Sequence, residues 1–226
     1  MRNLCLTFSL LLSFSLVRAQ TSSETRTLKA FDQVVVSHSI EAEFVRGDQH
    51  EIEITASGIG LEEILTNVNK RKLEIKISGS NPKSSSVKVK VTYTKLEVVE
   101  VETAARAFIQ DPLESKSISL SVATNAYLEA GVKAGELNLD AKTNSKMYVK
   151  GSADHLNYNA FTNAEIDGED LVVKHAEVRT NTNAYGTFEV LESLKGTAAT
   201  RGRIKYKGDP NVVDIKESIG GVIEKF

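Results

Sequence analysis

A short phrase of Thr, then Asn, then a small residue returns along the second half of this chain at almost constant spacing. In order it reads Ala105-Arg106-Ala107, Thr124-Asn125-Ala126, Thr143-Asn144-Ser145, Thr162-Asn163-Ala164, Thr182-Asn183-Ala184, Thr200-Arg201-Gly202 and Ser218-Ile219-Gly220. The first positions advance by 19, 19, 19, 20, 18 and 18 residues. A period of this size with no helical pattern inside it is the signature of a solenoid, in which each repeat is one coil stacked on the next.

Side-chain parity inside the repeat specifies β structure. Every second residue from Ile118 runs Ile118, Leu120, Val122, Thr124, Ala126, Leu128, and the following coils repeat the pattern through Leu137 to Val149 and Leu156 to Gly168. A period of two means extended strand with one face buried, and no window here has a competing period of 3.6. The alternation places Thr124, Thr143, Thr162 and Thr182 inward. It makes the Thr-Asn-small phrase a corner, where Asn tolerates unusual backbone angles. Asn125, Asn144, Asn163 and Asn183 then stack as a structural amide ladder with the threonines beside them. Gly131, Gly151, Gly168 and Gly208 mark a second corner. At roughly 3.3 Å per residue a coil has a perimeter of about 60 Å, and a stacking distance of about 4.8 Å makes seven coils a rod roughly 30 Å long.

The chain starts with Met1-Arg2-Asn3, an almost wholly apolar run from Leu4 to Val17, and Val17-Arg18-Ala19. This is the pattern of a secretory signal over 1–19, cut after Ala19. Its core is too short for a stable span, and no later segment is long enough for a transmembrane helix. The single cysteine, Cys5, lies inside the signal. The exported chain therefore has no thiol for a lipid anchor, a disulfide or a cysteine-ligated metal, and is not a lipoprotein. Removing Arg2 and Arg18 leaves 26 basic against 30 acidic residues, so the net charge goes from −2 to −4. That balance argues against nucleic acid and anionic membrane surfaces, which call for basic stripes.

Residues 20–30 are polar and read as a flexible leader, with one domain over 31–226. Strands are expected at Phe31 to Val36, Ile40 to Val45, Glu51 to Thr55, Leu73 to Ile77 and Val87 to Tyr93, with Gly79-Ser80-Asn81-Pro82 as a loop. Arg46-Gly47-Asp48 has the composition of an adhesion tripeptide, and a turn between two strands accounts for it. Leu61, Ile64, Leu65 and Val68 fall at i, i+3, i+4 and i+7, which predicts one short helix over Gly60 to Asn67.

Several of these segments together resemble one known family. Phe31-Asp32-x-Val34, the strand pair ending at Gly47, Leu73-x-Ile75, the Thr-Asn-Ala phrase, Ile204-x-Tyr206-x-Gly208-x-Pro210-x-Val212 and Ser218-Ile219-Gly220-Gly221 are similar to the auto-transporter adhesin family with a head GIN domain, exported by Bacteroidetes. The resemblance covers about Phe31 to Val222. It implies a right-handed, single-stranded parallel β-helix and brings no catalytic residues. The usual phrase of that family is Ser-Gly-Ala-Gly, so this chain keeps the small third residue and changes the corner.

Parallel β-helices also host polysaccharide lyases and hydrolases, which pair acid and base groups on neighbouring coils. Counting outward from the corner gives a column Glu129, Tyr148, Asp167, Glu189, Lys205, so Asp167 and Glu189 form the best available carboxylate pair. A solvated charged face explains them as well. His155 and His175 precede strands of consecutive coils and can stack, but lack a third ligand for a metal site. No nucleophile elbow, phosphate loop or zinc motif occurs. The reading is a non-catalytic exported module, periplasmic or on the cell surface, whose partner is a cell-surface glycan or envelope protein and which needs no cofactor. A glycan-active enzyme is the alternative. The candidate binding face is Ser119, Asn138, Asn157, Glu177, Lys195 beside Ser121, Asp140, Asn159, Arg179, Thr197.

Overall fold

Extended backbone pairs coil on coil through the whole computed structural model, which describes residues 21–79 and 84–226. The signal segment Met1–Ala19 and all but the first residue of the Gly79-Ser80-Asn81-Pro82 loop lie outside the described residues. Among the described residues, eighteen strands form one continuous sheet wound into a β-solenoid of about seven turns.

One coil consists of a strand, a corner and a second strand. β2 (Gln33–Val36) and β3 (Glu41–Arg46) form the first in chain order. β8 (Val98–Val101) and β9 (Arg106–Ile109) lie parallel on them, with Val36 beside Val101 and Ala42 beside Ala107. The stack continues through β10 (Leu113–Ala123), β11 (Tyr127–Lys142), β12 (Lys146–Phe161), β13 (Glu165–Asp167) and β14 (Leu171–Asn181). It ends with β15 (Tyr185–Ala198), β16 (Arg203–Lys207), β17 (Val212–Glu217) and β18 (Val222–Lys225). Registers such as Leu120–Leu139–Tyr158–Val178 and Leu128–Met147–Ile166 put apolar residues in files along the interior.

The corner is where the backbone departs most from strand geometry. Two successive residues adopt the left-handed region in four consecutive coils: Thr124 and Asn125 (φ 55° and 61°), Thr143 and Asn144 (56° and 57°), Thr162 and Asn163 (56° and 57°), Thr182 and Asn183 (51° and 59°). Positive φ at two consecutive positions is the geometry of a type I′ turn. It swings both side chains outward, so Thr124, Thr143 and Thr162 are exposed and Thr182 is half-buried. The inward placement of these threonines is thus corrected. The interior file goes from Val122 directly to Ala126, from Ala141 to Ser145 and from Ala160 to Ala164, all buried. Three successive residues face away from the interior at the turn before alternation resumes in phase, a break that strict counting by two passes over. Two phrases also move: the equivalent corners are Thr103-Ala104 and Ile219-Gly220, not Ala105-Arg106 and Ser218-Ile219.

Main-chain hydrogen bonds make the corners stack. The Asn125, Asn144, Asn163 and Asn183 amides donate to the carbonyls of Thr143, Thr162, Thr182 and Thr200 in the next coil, at 2.9 to 3.1 Å. A β-branched Thr at positive φ is unusual, and this ladder is what holds it there. Of the four glycines expected at a second corner, Gly151 and Gly208 have positive φ, 117° and 94°. A Cβ on either would meet the carbonyl oxygen of Val132 or Val190 at 2.0 or 2.1 Å. At Gly131 and Gly168 φ is not in the left-handed region, and β11 and β12 run unbroken around this gentler bend.

The N-terminal end does not follow chain order. β6 (Lys72–Ile77) and β7 (Ser86–Tyr93) pair parallel with β2 and β3 on the side away from β8 and β9, so a later segment forms the outermost coil. Antiparallel strands then close it: β4 (Glu51–Ser57) on β7, β1 (Thr21–Thr27) on β4, and β5 (Ile64–Asn69) on β6. Two expectations are overturned here. Residues 21–27 are an edge strand rather than a flexible leader, because their polar Ser, Thr and charged side chains suit a solvated edge. The helix over Gly60 to Asn67 is a single 3-10 turn, Leu61–Glu63, followed by β5. Hairpin pairing outweighed eight residues of helical spacing, since so short a helix has little stability of its own. The hairpin turn is Lys70-Arg71, again with φ positive at both (47° and 65°).

His50 lies under this cap with its ring 4.8 Å from that of Phe31 and Nδ1 buried. Burial, and secondarily the Arg71 guanidinium, push its pKa below the ordinary histidine value. A histidine with a lowered pKa in the folded state takes up its proton more readily when unfolded, so stability starts to fall as pH drops below the unfolded value near 6.5 and goes on falling until the lowered folded value is passed. The melting temperature is therefore expected to fall between about pH 7.5 and about pH 5.5, and His50→Gln to flatten that slope. Identical slopes in the two proteins, followed by circular dichroism, contradict the assignment.

Candidate functional site

Outward residues form straight columns on two broad faces. Before the corner the register reads Ser119–Asn138–Asn157–Glu177–Lys195 and, beside it, Ser121–Asp140–Asn159–Arg179–Thr197. Asn157 donates through Nδ2 to Asn138 Oδ1 at 3.0 Å, Arg179 pairs with Glu177 at 2.8 Å, and Lys142 pairs with Asp140 at 2.7 Å. Glu177 and Lys195 are register neighbours, but the carboxylate takes the guanidinium on its own strand as its partner. A shallow depression of about 220 Å³ lies over Asn157, Asn159, Glu177 and Arg179. Toward the N-terminal end the face continues into an open hollow of about 930 Å³, lined by Gln33, Asn67, Asn69, Lys72, Glu74 and Glu100. No local sequence pattern marks this hollow, since it depends on β5 and β6 joining the stack out of chain order.

Along the corner the exposed amides join: Asn163 Nδ2 donates to Asn144 Oδ1 at 3.0 Å, and Asn183 Nδ2 to Asn163 Oδ1 at 3.2 Å. Nearby Ser145, buried where the neighbouring coils have Ala126 and Ala164, donates to the Val122 carbonyl and accepts from the Lys142 amide, both at 3.1 Å.

After the corner the columns are Glu41–Arg106–Tyr127–Lys146–Glu165–Tyr185–Arg203 and Glu43–Phe108–Glu129–Tyr148–Asp167. Lys146 pairs with Glu165 at 2.8 Å. The Arg106 guanidinium lies 5.5 Å from the Phe108 ring centre and 5.3 Å from that of Tyr127. Four surface aromatics, Phe108, Tyr127, Tyr148 and Tyr185, thus share one face. Reading outward positions one period apart would have found them. Burial pushes the phenols of Tyr127 and Tyr185 up, and the Asp170 carboxylate that accepts from Tyr148 at 2.8 Å does so for Tyr148, so all three stay neutral donors.

The carboxylate pair is not assembled. Asp167 is beside Thr187, whose hydroxyl reaches it at 3.4 Å, while Glu189 is in register with Val172 and Lys207. The miscount arises at Gly186, Thr187 and Phe188, three successive buried residues where alternation fails. Asp167 and Glu189 are therefore in different columns, and no acid and base converge there. His155 and His175 do stack, with ring centres 4.8 Å apart and planes at 20°. His175 shares a 2.9 Å hydrogen bond between Nδ1 and Ser193 Oγ, and its Nε2 is 3.5 Å from Glu192. Among the described residues no group of three or more His, Cys, Asp or Glu is placed to hold a metal ion. Arg46 of the Arg-Gly-Asp triplet is committed internally: its amide donates to Asp111 at 2.8 Å and its guanidinium to the Pro112 carbonyl at 2.6 Å. None of the helical segments among the described residues is long and apolar enough to cross a membrane.

The sequence model of the family described as "Putative auto-transporter adhesin, head GIN domain" matches residues 30–210. Among solved structures, a putative adhesin from Bacteroides fragilis superposes with a TM-score of 0.85 at 15% identity, covering 92% of this chain and 98% of that one. A putative adhesin from Parabacteroides merdae gives 0.76 at 19% identity, covering 92% and 96%. A putative lipid binding protein from Parabacteroides distasonis gives 0.70 at 16% identity, covering 91% and 96%. At such identities the likeness is one of fold. No curated protein matches the sequence.

Proposed function

The chain belongs to the family of auto-transporter adhesin head GIN domains, and from that premise we propose that it is an exported, non-catalytic binding module of the cell envelope. Its partner is a surface glycan or envelope protein, gripped along the face that carries Asn138, Asp140, Asn157, Asn159 and Arg179. The observation that carries this reading is the shape and saturation of that face: an open, nearly straight track of amides and paired charges, continuous with the hollow at Lys72 and Glu100. Such a surface offers many weak, additive hydrogen bonds to an extended polymer, as repeat scaffolds do. Catalysis by contrast calls for titrating groups that converge in a concave, partly dry site. Export follows the signal at 1–19, with the purified protein starting at Gln20, and the right-handed winding is the family's.

The test is a glycan array and cell-wall pull-down with wild type and the triple variant Asn138→Ala, Asn157→Ala, Arg179→Ala. Wild type is expected to retain an envelope component, and the variant to bind it roughly tenfold or more weakly, each truncation removing about 0.5 to 1.5 kcal/mol. Retention unaffected by the triple change, or no retained component, contradicts the assignment of this face.

A further inference from the structure

The two ends of the stack are chemically unlike. At the N-terminal end the polar edge strand β1 and Arg26 close the coil, with Arg26 donating to the Ile64 and Leu61 carbonyls at 2.6 and 2.9 Å across the gap to β5. At the other end β17 hydrogen-bonds to β15 on one side, and no described strand pairs with its other edge. Four large apolar side chains are strongly exposed there: Val212 (60%), Val213 (47%), Ile219 (77%) and Phe226 (48%). Val213 and Ile215 stand above Leu194 and Gly196 of the interior files, so this is a core cut open at its last coil. An open edge beside an apolar patch is a template for another strand.

We propose that this end joins two copies of the chain tail to tail about a two-fold axis, with β17 of one copy antiparallel to β17 of the other. A two-fold axis between identical edge strands forces them to run antiparallel. The sequence Val212-Val213-Asp214-Ile215-Lys216-Glu217 is self-complementary in one register. Centred on Ile215, the pairing sets Asp214 of each copy opposite Lys216 of the other on the solvent face, and on the core face it sets Ile215 against Ile215, with Val213 of each copy opposite Glu217 of the other. Sliding by two residues centres the pair on Asp214 or on Lys216 and faces like charges. Sliding by one turns the apolar face of one copy to the solvent face of the other. Assembly stops at two, because the polar β1 and the Arg26 clasp give a third copy no apolar edge to extend.

The experiment is sedimentation equilibrium of the purified protein over a wide concentration range, with circular dichroism to verify folding. Wild type is expected to be a dimer. Lys216→Asp, on the outer face, weakens the dimer about tenfold or more by opposing Asp to Asp, and the charge swap Asp214→Lys with Lys216→Asp restores it. Ile215→Lys, which sets two ammonium groups on the axis, gives monomer. A wild type that stays monomeric, a dimer indifferent to Lys216→Asp, a swap that fails to rescue, or open-ended oligomers each overturn the proposal.

Discussion

Tyr158→Ala is expected to lower the unfolding free energy by about 3 to 5 kcal/mol, the range for emptying an aromatic site in a packed core. The ring is 1% exposed and packs against Phe188, with centres 6.0 Å apart. Its hydroxyl donates to the Tyr185 carbonyl at 3.3 Å and fills the space over Gly186, where a Cβ would come within 1.5 Å of it. Ala at 158 leaves a void in the middle of the stack, with rigid coils on either side that cannot close it. Tyr158→Phe keeps the ring and loses one neutral hydrogen bond, so it should cost only about 1 kcal/mol. Burial drives the phenol pKa well above its usual value, so neither effect should vary with pH in the physiological range. Chemical denaturation measures both; a loss below about 1 kcal/mol for Ala would mean that the ring does not hold the coils together.

The second large effect tests the corner. Ala164 is buried between Ser145 and Ala184 in the file of small residues just after each turn. Ala164→Leu forces a branched side chain into that file and should destabilise by about 1 to 3 kcal/mol through overpacking. Thr162→Leu, two positions away and exposed at φ 56°, should stay within about 0.5 kcal/mol. Equal losses at the two sites would mean that the turn does not swing both its central residues outward.

That contrast also marks how far the sequence could be read. The spacing of Thr124, Thr143, Thr162 and Thr182 was enough to locate the coils, because stacking keeps the residue count per turn nearly constant from coil to coil. Parity located the strands and the outward columns through Asn138, Asn157 and Arg179, since a period of two survives wherever the backbone is extended. It failed at two kinds of place. At the corner, consecutive left-handed residues delay the alternation; at Gly186 to Phe188, buried residues follow one another without alternating. Each failure moved an assignment, the threonines to the outside and Glu189 away from Asp167. The N-terminal cap was illegible for another reason. That β6 and β7 slot beneath β2 and β3, and that polar residues 21–27 close the edge, are decisions of tertiary pairing between segments far apart in sequence, which local pattern does not encode. Of the candidate site, the columns themselves were legible; the hollow beside β5 and the shared face of Phe108, Tyr127, Tyr148 and Tyr185 were not read.

These faces are expected to hold a polymer without cutting it, and one assay addresses both halves. The purified protein is incubated with each glycan or cell-wall fraction that it retains, and bound fraction and polymer chain length are followed together. Retention with unchanged chain length is expected, and the same retention after Asp167→Ala with Glu189→Ala, because these carboxylates sit in different columns. Progressive shortening of the polymer, abolished in that double variant, would contradict it and establish a glycan-cleaving enzyme in its place.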